Sequence, residues 1–387
     1  MNANQQLKSK NHMRDFIPQI EPWINDRELY YLKKVVDSTY VTESKLTKEF
    51  ENRIKESTGS KHAIAYTNGT MALYACFKAI GIKPGDKVIV PNMTFVATAN
   101  AVIMAGATPV FCEVQEDTFC MDPGALRRLI DPYTRALVPV HLYGQSADMD
   151  SIMALAKERN IPIIEDAAQG VGVRYKNKHV GTFGDMGILS YYGNKTITCG
   201  EGGVILTDND ELAQICYRLK NHGRDTKGIF KHEHIGYNFS FTEMQAAIGL
   251  AQMDKLPDII SKKRKIRDLY YEKLAHLGTK FEAAYVDDST TDPVFWFTSY
   301  ITNHKKELQS FLKERGIATR DFFYPLDQQP CYKNEYCGYE ASQRDFSVSD
   351  RIYSRGISLP SSYNLTLEEQ QYIINSICKF FKEECER

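Results

Sequence analysis

Between Ala63 and Thr207 short apolar runs alternate with stretches of helical apolar spacing, and few folds accept that pattern. The runs are Ala63 to Tyr66, Lys87 to Val90, Thr108 to Val114, Ala136 to His141, Ile161 to Ile164, Met186 to Tyr192 and Val204 to Thr207. Helices are expected from Met71, from Ala97 and from Met149 to Glu158 between them. The runs are continuously apolar rather than apolar at every second residue, which marks strands covered on both faces. An α/β fold follows, with a large, mostly parallel sheet flanked by helices. Ligands of such sheets sit at the carboxyl ends of the strands.

The flanks are less regular. Residues 1–16 read as a mobile tail, followed by an arm with helical spacing from Glu28 to Val36 and from Leu46 to Ile54. Beyond the sheet, Glu211 to Lys220 and Thr242 to Leu277 are helical, with Pro257 expected to bend or break the second. An extended aromatic run, Phe295 to Thr302, then precedes helices from Lys305 to Arg315 and from Thr366 onward. At 387 residues and 43% hydrophobic content the chain can bury one large core and a smaller one. The expected division is residues 17–255 for the large domain and 256–387 for a smaller C-terminal α/β domain that includes the linking helix.

A formal charge of −1 with dispersed basic residues offers no footprint for nucleic acid or an anionic membrane. No apolar segment is long enough to span a bilayer, and the first fifteen residues lack the apolar centre of a signal peptide, so a cytoplasmic protein is expected. Nine cysteines without paired short spacings read as reduced thiols, and no metal site is expected.

Several polar clusters fall where strands end. The run Ser190 to Gly203 holds Lys195 in a glycine-punctuated turn between two apolar runs. A lone lysine there is ordinarily a solvated loop residue; aimed inward, it would lose hydration, drop its pKa and become a nucleophilic amine. Thr67 to Thr70 offers backbone amides, a glycine and a hydroxyl at a helix start, a seat for a phosphate or a plain helix cap. Glu165 and Asp166 end an apolar strand, so their side chains take opposite faces, and one of them could pair with a cationic ring nitrogen. His141 and Tyr143 form a further cluster, and His141 could equally be a satisfied core group. Phe95 lies on the loop after the Lys87 run, and Asn238 sits between two aromatics ahead of the long helix.

In these blocks, together with Thr94 to Ala101, Lys220 to Gly223 and Ile235 to Gln252, the chain resembles the DegT/DnrJ/EryC1/StrS sugar aminotransferases, pyridoxal phosphate (PLP) enzymes of fold type I. The likeness runs from about Ile17 to the C-terminal helix. It implies that Lys195 forms the Schiff base with PLP and shuttles the proton, and that Asp166 pairs with the pyridine nitrogen. It further implies that Gln169 meets the ring's phenolic oxygen, that Phe95 stacks on the ring, and that Gly69, Thr70 and Ser190 hold the phosphate. Asn238 would reach the phosphate of a neighbouring subunit, implying a homodimer with shared active sites. His141, Tyr143, Arg224 and Tyr324 stand near substrate positions of the family.

Within the family, Gly193 to Gly203 most resembles perosamine synthases, which aminate the C4 ketone of a GDP-linked 4-keto-6-deoxymannose. Enzymes acting on UDP- or dTDP-linked keto sugars share much of this run. Glutamate is the implied amino donor. Family dehydratases replace the lysine with histidine, which Lys195 argues against, and a non-catalytic relative would have lost a cofactor residue. An aminotransferase for a small unattached substrate such as a cyclitol stays open. Cys199 departs from the commoner threonine or alanine, and Tyr191-Tyr192 from a pair of phenylalanines.

Overall fold

The computed structural model describes residues 14–225, 228–286, 289–334 and 345–385. Its principal sheet runs, in spatial order, Thr108–Cys112, Lys87–Pro91, Thr134–Leu137, Ile164–Asp166, Met186–Ser190, Gly203–Thr207 and His62–Tyr66. The first three strands join the rest through parallel bridges between Leu137 and Ile163 and between Val140 and Asp166. Only Gly203–Thr207 is antiparallel, to both of its neighbours. The mostly parallel sheet is therefore present, with one reversed strand that returns from the lysine turn.

Two cores explain the unbroken apolar runs. Ile64, Tyr66, Val88, Val90, Ile188 and Ile205 pack on one face with Leu73 and Phe77 of the helix Gly69–Ala79. Ala63, Ala65, Ile89, Leu189, Val204 and Leu206 pack on the other with Phe50, Ala246 and Leu250. Neighbouring residues along each strand thus feed opposite layers, and both layers are apolar.

A second, antiparallel sheet, ordered Glu282–Ala283, Thr298–Ile301, Gly356–Leu359 and Arg320–Asp321, belongs to the C-terminal part. Its core contains Tyr270, Phe281, Tyr300, Leu308, Ile357 and Ile377. Ile17 joins that core, exchanging backbone hydrogen bonds with Gly316 and Ala318. Arg14 is tied to Glu369 at 2.6 Å and to Glu21 at 2.5 Å. Residues 1–13 of the expected tail lie outside the described residues.

The helix Glu243–Leu274 runs for 32 residues through Pro257, so of the bend or break expected from sequence the break does not occur. A proline in a helix interior costs about 3 kcal/mol, but Met253, Leu256 and Ile259 around it are buried and hold the turn in place. The start of the helix carries a capping box between Thr242 and Gln245. No helix among the described residues is long and apolar enough to cross a membrane, and no cluster of three or more metal-ligating side chains is found among them. Cys76, Cys112, Cys120, Cys199, Cys216, Cys331 and Cys378 carry free thiols.

Candidate active site

The lysine turn is built by its own backbone. Tyr191 N–H donates to Gly202 O at 2.9 Å, Cys199 N–H to Tyr191 O at 2.9 Å, and Lys195 N–H to Tyr192 O at 2.9 Å. Gly200 takes a positive φ of 81°, which only glycine adopts without strain. So pinned, the turn sends the Lys195 side chain inward, with Nζ 4.0 Å from the ring centroid of Trp296. Trp296 in turn donates its indole N–H to Asn194 O at 2.6 Å, clamping the turn from the C-terminal part of the chain. Burial pushes the Lys195 amine down to about 8; the Asp166 charge opposes the shift, and that of Arg320 adds to it.

The strand Ile164–Asp166 sends its two carboxylates to opposite faces. Asp166 is buried, receiving Thr98 Oγ1–H at 2.7 Å and the Ala168 amide at 3.1 Å. Glu165 is fully enclosed, and the amides of Gly181, Phe183 and Gly184 donate to it at 2.7, 2.5 and 2.7 Å. His141 completes that cage with Nε2 at 2.9 Å from Glu165, while its Nδ1 accepts the Ala147 amide at 3.3 Å. The acceptor role of Nδ1 places the proton of a neutral ring on Nε2. His141 is thus a corrected expectation: it has no exposed surface and serves a buried carboxylate, which must be surrounded by donors.

Tyr143 is corrected too. It is buried, adopts a positive φ of 54°, and its hydroxyl accepts the Phe323 amide at 2.9 Å. Its ring stacks on Phe323 at 5.5 Å and lies 6.5 Å from that of Trp296, so it forms part of an aromatic wall. Gln169 supports this wall by accepting the Tyr143 amide on Oε1 at 2.7 Å, which leaves its NH2 group as the available donor. Phe95, 55% exposed, touches the same wall, with its ring 6.0 Å from that of Phe323.

The anion seat is formed at the start of the helix Gly69–Ala79. Asn68 caps it by accepting the Met71 amide at 3.0 Å, so the cap leaves the Gly69 and Thr70 amides unused. Ser190 lies alongside: a Cβ on Gly69 would stand 3.5 Å from Ser190 Oγ. Gly203 pairs with both Tyr66 and Ser190, and a Cβ on it would meet Asn68 O at 2.5 Å and Gly69 N at 2.7 Å. Only glycine lets the strand approach the helix start this closely. Two amides and a hydroxyl at a helix N-terminus suit a phosphate.

Arg224 and Asn238 make no side-chain contact with these groups among the described residues, although Phe239 O accepts the Thr67 amide at 3.0 Å. Arg224 donates to Asn221 O and Oδ1, and Asn238 pairs with Asn221 through a backbone bridge, its own side chain being exposed. Tyr324 is 38% exposed, edge-on to Tyr353 at 5.0 Å. The structure brings Lys195, Asp166, Gln169, Phe95, Gly69, Thr70 and Ser190 to the carboxyl edge of the sheet. Sequence reasoning missed Trp296 and Thr98. Trp296 stood inside a run legible only as an extended aromatic segment, and no spacing links it to Lys195.

The chain belongs to the DegT/DnrJ/EryC1/StrS aminotransferase family, whose sequence model matches residues 22–378. It is 36% identical over 372 residues to the GDP-perosamine synthase of Escherichia coli O157:H7, covering 95% of this chain and 99% of the relative. The solved structure of DesV from S. venezuelae superposes with a TM-score of 0.86 at 30% identity, covering 94% of this chain and 98% of that one. Helicobacter pylori PseC, an aminotransferase of pseudoaminic acid biosynthesis, gives 0.88 at 27% identity, covering 95% and 100%. The fold is fold type I, the cofactor is PLP, and the protein is a PLP-dependent sugar aminotransferase. The seat, the buried carboxylate and the desolvated lysine fit that cofactor.

Proposed function

We propose that the enzyme moves an amino group from glutamate to the C4 ketone of a nucleotide-linked 4-keto-6-deoxy sugar, as perosamine synthases do, in amino-sugar and surface-polysaccharide biosynthesis. The observation that carries the aminotransferase chemistry is the Lys195 amine, lowered to about 8 beside the Asp166 charge at the edge that also holds the anion seat. The E. coli relative supports the perosamine-like substrate. PLP supplies an electron sink for the carbanion at the reacting carbon.

The chain's own groups divide the work. Lys195 attaches the cofactor and moves the proton at Nζ, which its lowered pKa suits near neutral pH. Asp166, oriented by Thr98, would pair with the pyridine nitrogen and keep it protonated. Gln169 would direct its NH2 to the phenolic oxygen, Phe95 would cover the ring face, and the Gly69 and Thr70 amides with the Ser190 hydroxyl would take the phosphate. Arg224 and Tyr324 are the remaining candidates for the sugar nucleotide. Asn238 reaches the site of a second copy, making a homodimer with shared active sites. The exposed Leu29, Tyr30, Val36, Tyr40 and Val41 of the arm and the exposed Phe230 and Ile235 ahead of Asn238 support such a pairing. Residues 17–255 and 256–387 form the two domains of each subunit, working in the cytoplasm.

The test is a panel of GDP-, UDP- and dTDP-linked 4-keto-6-deoxy sugars incubated with glutamate and the holoenzyme, with the aminated product read by mass. Amination of a GDP-linked sugar is expected. A cyclitol accepted in place of every nucleotide sugar would overturn the assignment. Lys195→Ala is expected to abolish turnover, and full activity in that variant would remove the lysine from the mechanism.

A further inference from the structure

Arg320 begins the strand Arg320–Asp321, opposite Ser358, and its guanidinium carbon lies 5.2 Å from the ring centroid of Phe297. Phe297 stacks on Trp296 at 3.8 Å, and Trp296 carries the Lys195 amine at 4.0 Å. The arginine therefore stands one aromatic ring beyond the ring that supports the lysine. Its charge is felt at both Lys195 and Tyr143, in keeping with that placement. Asp321, the next residue, is engaged elsewhere, with Lys305 at 2.9 Å and Gln309 at 3.1 Å. Among the described residues no carboxylate pairs with Arg320; Arg174, Arg224 and Arg315 also lack one but donate to backbone or amide oxygens, whereas the Arg320 guanidinium lies against an aromatic face. A half-buried guanidinium without an acid, held by an aromatic face beside the reacting amine, is a group kept for an anion that comes and goes.

The two substrates of the proposed reaction differ in where they carry negative charge. A nucleotide sugar bears its diphosphate at C1, across the ring from a C4 ketone. An α-amino acid bears a carboxylate on the very carbon that gives up the amine. A cation held one aromatic ring beyond the ring that supports the Lys195 amine matches the second. We infer that Arg320 is the docking residue for the α-carboxylate of the amino donor, and for that of the oxo acid left after transfer. This rests on the aminotransferase reading above and adds to it the recognition of the donor. When the neutral part of the sugar occupies the same space, the guanidinium has the Phe297 ring to lie against.

The test separates the two half-reactions in the holoenzyme by stopped-flow absorbance of the cofactor. Native enzyme is mixed with glutamate, and enzyme loaded with the aminated cofactor is mixed with the keto sugar that it accepts. In Arg320→Gln the glutamate concentration for half-maximal rate should rise roughly 10–100-fold, the loss of a charge-assisted carboxylate contact. Arg320→Lys should fall between, and the keto-sugar concentration for half-maximal rate in the other half-reaction should stay at its native value. Glutarate, which has the carboxylates and no amine, should bind the native holoenzyme in calorimetry and lose affinity in Arg320→Gln. Unchanged glutamate dependence and glutarate binding would overturn the inference. So would a loss confined to the sugar half-reaction, which would give the arginine to the diphosphate. If no amino acid aminates the native enzyme's cofactor, the aminotransferase reading itself fails, and this is seen before any variant is made.

Discussion

Trp296 lies under the Lys195 amine, 4.0 Å from ring centroid to Nζ, although 101 positions separate them in the chain. The two act on the lysine in opposite senses. Burial favours the neutral amine, whereas an aromatic face favours the ammonium. Burial prevails over the opposing Asp166 charge, and the amine is lowered to about 8, neutral in an appreciable fraction of molecules near neutral pH.

The first prediction concerns that amine. The rate at which cofactor-free protein captures PLP should rise through about pH 8, more than two pH units below an ordinary lysine. Asp166→Asn removes the charge that holds the proton and should move the inflection lower; Arg320→Gln removes a repelling charge and should move it higher. Rates of capture followed by absorbance across pH 6–10 check all three.

A second prediction separates His141 from the chemistry. His141→Gln breaks the cage around Glu165 and should lower unfolding free energy in urea by roughly 2–4 kcal/mol. The KM for the keto sugar should be that of the native enzyme, because the imidazole has no surface in the cleft. A large KM change with native stability would return His141 to the substrate.

Gly203→Ala supplies a third. Its Cβ would meet backbone atoms, Asn68 O at 2.5 Å and Gly69 N at 2.7 Å, which cannot rotate away. The helix start must separate from Ser190, and PLP affinity should weaken by roughly 10–100-fold, equivalent to about 1–3 kcal/mol of overpacking. Equilibrium dialysis of the cofactor measures it. The same substitution at Gly81, whose Cβ would meet nothing within 4 Å, should lower stability through its positive φ of 81° and leave PLP affinity unchanged.

Lys263 gives a prediction about stability and pH. It is buried, donates to Trp296 O at 3.1 Å and Ser361 O at 3.2 Å, and burial pushes its amine down to about 7. Between about pH 7 and 10.4 the unfolded chain binds the proton that the folded chain has released, so this group makes stability rise with pH across that window. Below pH 7 both states are protonated and its cost is present in full. Lys263→Met should flatten the pH dependence of unfolding relative to native protein, measured in urea from pH 7 to 10.

The large sheet was legible because both of its faces are apolar, so continuous runs could be read without knowing the partners. Glu165 and Asp166 were legible as a pair on opposite faces, since strand geometry alone demands it. Which of them is caged was not, because the Gly181, Phe183 and Gly184 amides come from a loop with no pattern of its own. His141 misled for the same reason: a histidine at a strand end looks alike whether it faces the cleft or a buried carboxylate. Pro257 does not break its helix because packing around a long helix outweighs the local cost of one proline. Trp296, Thr98 and Arg320 meet Lys195 and Asp166 only through the tertiary fold, and local spacing carries no trace of that.

The 32-residue helix Glu243–Leu274 begins in the core under the sheet and ends in the C-terminal core. At 1.5 Å per residue it is about 48 Å long. It acts as a lever: a tilt of one degree about its first turn displaces its far end by about 0.8 Å. Lys263, partway along that arm, donates to the carbonyl of Trp296, whose indole N–H holds Asn194 O, so the lever is tied through one residue to the turn that carries the reactive amine. A substitution at Ala246 or Leu250, far from any substrate, can therefore alter turnover by misaligning Trp296 against Lys195.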